Sequence, residues 1–90
     1  MSEPTVTNVA EEHRYEISVD GVRAGLAAYR DSGDQRDFHH TEIDKEFGGQ
    51  GLATKLIAAA LADTRAAGKR IVPTCSFVEA YVEKHPEYAH

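Results

Sequence analysis

The run Phe47-Gly48-Gly49-Gln50-Gly51-Leu52-Ala53-Thr54-Lys55 constrains this chain more than any other stretch. Gly48, Gly49 and Gly51 stand directly before a long amphipathic segment, and an extended segment, Arg36 to Ile43, precedes them. Strand, glycine loop and helix N-terminus in that order make an anion site. Glycine lets the backbone turn its N–H groups toward a ligand with no Cβ in the way. The unpaired amides of the first helical turn, at the positive end of the helix dipole, complete it. The arrangement points to a phosphate-bearing ligand. From the residues alone, the competing reading is a loop that only turns a strand into a helix.

Spacing narrows the choice of ligand. A P-loop requires Gly, four residues, then Gly-Lys-Ser/Thr. Counting from Gly49 puts Thr54 at the second glycine and Leu56 at the hydroxyl position, so the pattern fails. The dinucleotide fingerprint would read Gly49-Gln50-Gly51-Leu52-Ala53-Thr54, with threonine in place of the last glycine. No acidic residue closes a second strand about 20 residues on, as ribose recognition requires. A third pattern, Arg/Gln-x-x-Gly-x-Gly/Ala, fits from its fourth position as Gly51-Leu52-Ala53, while Gly48 occupies the place of the usual Arg or Gln.

Periodicity divides the chain in two. Tyr15, Ile17 and Val19 alternate with polar residues, the period of a half-buried strand. Asp20-Gly21 then predicts a tight hairpin turn, and Val22, Ala24, Leu26 and Ala28 continue the alternation. Thr5 to Val9 reads as a shorter first strand, joined through Glu11-Glu12-His13, and Ser32-Gly33-Asp34-Gln35 as a turn into Arg36–Ile43. From Gly51 the period changes. Leu52, Leu56, Ala59 and Ala60 share a helix face, with Lys55, Asp63 and Thr64 placed off it, to about Ala67 and a C-cap glycine at Gly68. Ile71 to Thr74 is a short strand that the intervening helix makes parallel to its neighbour. Phe77, Val78, Tyr81 and Val82 form a second helix, ended by Pro86.

Ninety residues predict one small domain spanning 1–90, with 1–4 disordered and little area left to enclose a substrate. The net charge of −5 and the absence of a Lys/Arg stripe argue against nucleic acid as a partner. No stretch reaches membrane-spanning length, Met1-Ser2-Glu3-Pro4 lacks the regions of a signal peptide, and the lone cysteine suits a reducing compartment. The expected location is the cytoplasm.

Around the loop, Phe38-His39-His40-Thr41-Glu42-Ile43 precedes, and Val72-Pro73-Thr74-Cys75-Ser76-Phe77-Val78, Tyr81 and His85-Pro86-Glu87-Tyr88 follow. In this order, over roughly Glu16 to Tyr88, the sequence resembles the Gcn5-related N-acetyltransferase superfamily, in its short single-domain YjdJ-type subgroup. The third loop pattern is that superfamily's coenzyme A pyrophosphate loop. The resemblance implies a reduced α/β (α+β) acetyltransferase fold. Its sheet would be mixed and mostly antiparallel, with two helices in the order β-β-β-β-α-β-α and the fourth and fifth strands splayed apart around a pantetheine arm.

The implied reaction is transfer of an acetyl group from acetyl-coenzyme A to an unidentified amine, on a small molecule or a protein. By resemblance, the pyrophosphate rests on the amides of Gly48, Gly49, Gln50, Gly51, Leu52 and Ala53, with the Thr54 hydroxyl as a further donor. The pantetheine amides pair with main chain at Glu42 and Ile43. Cys75 lies at the thioester end as a candidate nucleophile, with His40 on the facing strand as its partner, although a lone cysteine also reads as a small buried hydrophobe. Phe77 and Tyr81 read as core on helical spacing, yet the resemblance puts the start of their helix along the coenzyme. His39 and His40 adjoin in a strand and therefore point to opposite faces, and no zinc-type spacing links them to Cys75 or His85, so no metal is expected. Acidity faintly favours a cationic acceptor. The small size equally fits a non-catalytic coenzyme A or acyl-coenzyme A binding module, or a protein-interaction domain.

Overall fold

The computed structural model describes residues 3–48 and 51–88. Its elements are β1 (Thr5–Val9), β2 (Arg14–Val19), β3 (Val22–Ser32), β4 (Gln35–Ile43), α1 (Leu52–Ala66), β5 (Arg70–Pro73) and α2 (Ser76–Lys84). Short 3-10 turns lie at Ala10–Glu12, Lys45–Phe47 and Pro86–Tyr88. The strands lie in chain order in one sheet, antiparallel from β1 to β4 and parallel between β4 and β5. The β-β-β-β-α-β-α order is the expected one. Met1 and Ser2, expected to be disordered, fall outside the described residues.

Local chemistry explains the turns. Asp20 and Gly21 both have positive φ, 53° and 80°, which is what a type I′ hairpin demands of its central pair. Gly68, at φ 78°, follows the α1 C-cap residue Ala67 and carries the chain back toward β5. The alternation of β3 runs past Ala28 to Ser32, so the third and fourth strands pair over more length than the sequence pattern predicts.

Register decides which residues share a face, since cross-strand partners project to the same side. Tyr15, Ala27 and Thr41 form one row, and Tyr15 reaches α1, so this face carries the helices. Arg14–Ala28–His40 and Glu16–Leu26–Glu42 form rows on the other face. The core is a single cluster in which Tyr15, Ile17, Tyr29 and Phe38 meet Leu52, Leu56, Ile57 and Leu61 of α1 and Val78 and Val82 of α2. Both helices therefore pack on one side. The thinnest dimension, 19 Å, is that of one helix layer on one sheet.

Thr64 departs from the expected polar side of α1, being wholly buried. Its hydroxyl donates to the Ala60 carbonyl at 2.8 Å, which removes the cost of burying it. Tyr15 forms the centre of a core network. Its hydroxyl donates to the Asp63 carboxylate at 2.6 Å and accepts from Arg36 Nη1 at 2.7 Å. Arg36 is itself buried, lies 4.2 Å over the Tyr29 ring, and donates to Asp31 from Nε and Nη2. Burial, and then the hydrogen bond to Asp63, push the Tyr15 hydroxyl up to about 12.

Candidate functional site

The site begins where the sheet comes apart. Pairing between β4 and β5 runs only from Gln35–Arg70 to Phe38–Pro73, whereas β4 continues to Ile43. Residues 39–43 thus have β3 on one side and no strand on the other among the described residues. Where the two strands part, the Cys75 amide donates to the Phe38 carbonyl at 2.8 Å and closes the narrow end. A β-bulge marks the same level of the sheet, because Ala28 pairs with His40 while Tyr29 pairs with Phe38, leaving His39 as the extra residue. Gly25 lets β3 approach the far end of this stretch, since a Cβ there would meet the Glu42 carbonyl oxygen and Ile43 Cδ1, each at 2.5 Å.

The wide end of the opening leads to the glycine loop. After the turn at Lys45–Phe47, Gly48 is extended, and Gly51 takes φ 71° immediately before α1. The first turn of α1 contains no acidic side chain, so the partial positive charge of its amides is unopposed. Gly49 and Gln50 lie outside the described residues. Leu52 is buried in the core, so a ligand would meet it through the backbone, and Ala53 is half-buried.

Beside the first turn of α1, Thr54, Phe77, Ala80, Tyr81, Lys84 and His85 line a cleft of about 180 Å³. Thr54, Phe77 and Tyr81, three of the residues the sequence singles out for the coenzyme, meet there. Phe77 is 38% exposed, against the core placement its spacing predicts, because Val78 and Val82 turn the apolar side of this short helix inward. Lys84 is a lining residue the sequence does not single out, and His85, which the sequence places only in the His-Pro-Glu-Tyr run that ends the helix, joins it here. The signal was present: Phe77, Tyr81 and Lys84 follow the helical repeat and share a face. His85 stacks on the Tyr81 ring at 4.2 Å.

Cys75 is half-buried at the N-cap of α2, with its Sγ 3.4 Å from the Thr41 Oγ1. Burial pushes the thiol up. The Thr41 hydroxyl, followed by the amides of Val78, Phe77 and Thr41, outweighs that and leaves the thiol below its ordinary value. No side-chain cap bond is formed at this helix end, so the amides act as nearby dipoles rather than formed donors.

His40 does not join Cys75. Thr41, the thiol's neighbour, projects to the helix face, whereas His40 belongs to the Arg14–Ala28–His40 row on the opposite face. Strand alternation separates the two residues that the sequence pairs. The His40 ring instead has Nε2 3.2 Å from Glu42 Oε1, and both side chains are more than half exposed. Glu42 has its side chain engaged with His40, and Ile43 packs against the core and Gly25. No group of His, Cys, Asp and Glu suited to a metal ion occurs among the described residues, and no helix among them is long and apolar enough to cross a membrane.

The sequence model described as GCN5-related N-acetyl-transferase matches residues 14–90. The chain belongs to that family. The NMR solution structure of a GCN5-like N-acetyltransferase candidate from Staphylococcus aureus superposes with a TM-score of 0.71 at 27% sequence identity, covering 98% of this chain and 86% of that one. No curated protein matches the chain significantly. The five-stranded mixed sheet with two helices is accordingly a GCN5-related N-acetyltransferase-like fold. Members of the family generally use acetyl-coenzyme A, and the residues here fit that substrate on two counts. The free side of β4 has strand-type backbone groups without a strand partner, and the α1 terminus presents amides with no acid against them.

Proposed function

We propose that this protein binds acetyl-coenzyme A in the opening between β4 and β5 and transfers the acetyl group to an amine. The observation that carries the reading is the unpaired stretch 39–43 of β4, which leads from the glycine loop to Cys75. In this reading the amides around Gly48, Gly51, Leu52 and Ala53 and the Thr54 hydroxyl hold the pyrophosphate. Lys84 and His85 line the same cleft as Thr54, and the Lys84 ammonium would assist. Main chain at Glu42 and Ile43 pairs with the pantetheine amides as a neighbouring strand would, and Phe77 and Tyr81 cover the arm.

The thioester then reaches the closed end of the opening, with Cys75 on the helix side and His40 on the other. The Cys75 thiolate attacks the thioester carbonyl, forming an enzyme thioester as the bond to coenzyme A sulfur breaks and coenzyme A leaves as the thiolate, which takes a proton from water. The amine attacks that carbonyl in turn. It passes its proton to His40, held by Glu42, and Cys75 is released. Nucleophile and base work from opposite faces of the sheet, which is why they need not touch each other.

Intact-mass spectrometry after incubation with acetyl-coenzyme A and no amine tests this reading. One acetyl adduct is expected, absent from Cys75→Ser. An unmodified protein together with full turnover by Cys75→Ala would mean that the amine attacks the bound thioester directly. Binding of acetyl-coenzyme A with neither adduct nor turnover would make the protein a non-catalytic coenzyme A binding module.

A further inference from the structure

A second hollow, of about 540 Å³, lies beside the bulge in β4. It is lined by Ala28 and Tyr29 together with Glu12, His13, Arg30, Asp31 and His39. Ala28 is also the cross-strand partner of His40, so the hollow adjoins the closed end of the opening on the side away from Cys75. Its volume falls within the range of small-molecule sites, about 300–1,000 Å³.

The charges of the lining are not equally available. Glu12 pairs with Arg14 at 3.1 Å, and Asp31 with Arg36 at 2.8 Å, so both carboxylates are already engaged. Arg30 is different. Its cross-strand partner on β4 is Asp37, an opposite charge in the position where strand pairs commonly meet. Yet no ion pair joins them among the described residues, and Asp37 keeps a buried oxygen, Oδ1, without a hydrogen-bond partner. Arg30 lines the hollow instead, its side chain without a hydrogen bond or ion pair among the described residues. An unpaired guanidinium on a residue that lines a hollow is suited to a carboxylate, which it can grip with two parallel N–H donors.

Resting on the acetyl-transfer reading, the geometry points to this hollow as the acceptor subsite, and to a small amino acid as the acceptor. Its carboxylate is held by Arg30 and its amine is directed past His39 toward His40 and the thioester. This replaces the cationic amine that net charge alone favours with a zwitterion selected by one residue.

The test titrates the isotope-labelled protein with straight-chain amino acids from glycine to 6-aminohexanoate, and with the matching alkylamines that lack the carboxylate, following amide resonances by NMR. At least one amino acid should shift the amides of His13, Arg30 and His39 while its matching amine does not. Arg30→Gln should weaken that binding by about tenfold or more, the effect of losing a charge-assisted hydrogen bond, and Arg30→Lys should restore part of it. Arg30 is exposed, so neither change threatens the core. Unmoved resonances, equal binding of amine and amino acid, or unchanged affinity in Arg30→Gln would overturn the site. Binding without acetylation of the bound amino acid, in an enzyme that acetylates some other amine, would overturn the acceptor role. Acetyl-coenzyme A is titrated separately and read at Gly51 and Thr54, so a failure of the coenzyme reading shows at different amides from a failure of the hollow.

Discussion

Tyr15→Phe removes one oxygen from the centre of the core and nothing else. Tyr15 is 2% exposed, so water cannot take the place of its hydroxyl without opening the domain. Two strong bonds are lost, from the hydroxyl to Asp63 at 2.6 Å and from Arg36 Nη1 to the hydroxyl at 2.7 Å. Asp63 is exposed and returns to water at little cost. Arg36 is 6% exposed and keeps Asp31, but its Nη1 loses the acceptor it has in the wild type. Leaving a buried donor of a charged group unsatisfied costs about 1–3 kcal/mol. A loss near the middle of that range, about 2 kcal/mol, would lower Tm by roughly 8–16 °C in a domain of this size.

Alkali supplies an independent check on the same hydroxyl. Its folded value is raised to about 12 from 10.0, so the protonated form is favoured by folding. The stability this represents is complete below pH 10 and is lost as pH rises through about 12. At about 1.4 kcal/mol per pH unit, the loss amounts to roughly 2–3 kcal/mol across that window. Urea unfolding at a series of pH values from 8 to about 12 should show wild type losing stability more steeply than Tyr15→Phe. Parallel pH profiles, or a variant as stable as wild type at pH 7, would refute the argument that this hydroxyl holds Arg36 in the core.

Three further outcomes follow from the site. Gly51→Val places a β-branched side chain at φ 71° and over the amides proposed for the pyrophosphate; calorimetry on the folded variant should detect no coenzyme A binding, and wild-type affinity would reduce the glycines to a turn. Thr41→Val removes the hydroxyl beside Cys75, so the thiol should titrate higher and react more slowly with iodoacetamide near neutral pH; an unchanged rate–pH profile would show that Thr41 does not tune it. Gly25→Ala drives a Cβ to 2.5 Å from the Glu42 carbonyl oxygen, so β4 must move where main chain is proposed to receive the pantetheine arm. A stability loss of about 1–3 kcal/mol and weaker coenzyme A binding are expected, and unshifted amide resonances at Glu42 and Ile43 would contradict it.

Local signals in the sequence determined the order of elements. Alternation along Tyr15–Val19, the Asp20-Gly21 turn, the change of period at Gly51 and the glycine at position 68 each act within a few residues, and the structure has an element boundary at each. Helical spacing alone put Phe77 in the core, whereas the fold leaves it exposed beside Thr54 and Tyr81, because the short helix turns Val78 and Val82 inward instead. What could not be read locally was which residues meet across the sheet. Whether His40 faces Cys75 depends on the register of β3 against β4 and on the bulge at His39, neither of which has a mark in the sequence of β4 alone. A strand residue presents one of two faces, and a single extra residue in a strand changes which one. The same holds for Arg36 and Thr64. Both are polar residue types that belong on the surface by composition, and both are buried because Tyr15, Asp31 and the helix backbone, brought together only on folding, satisfy their polar atoms.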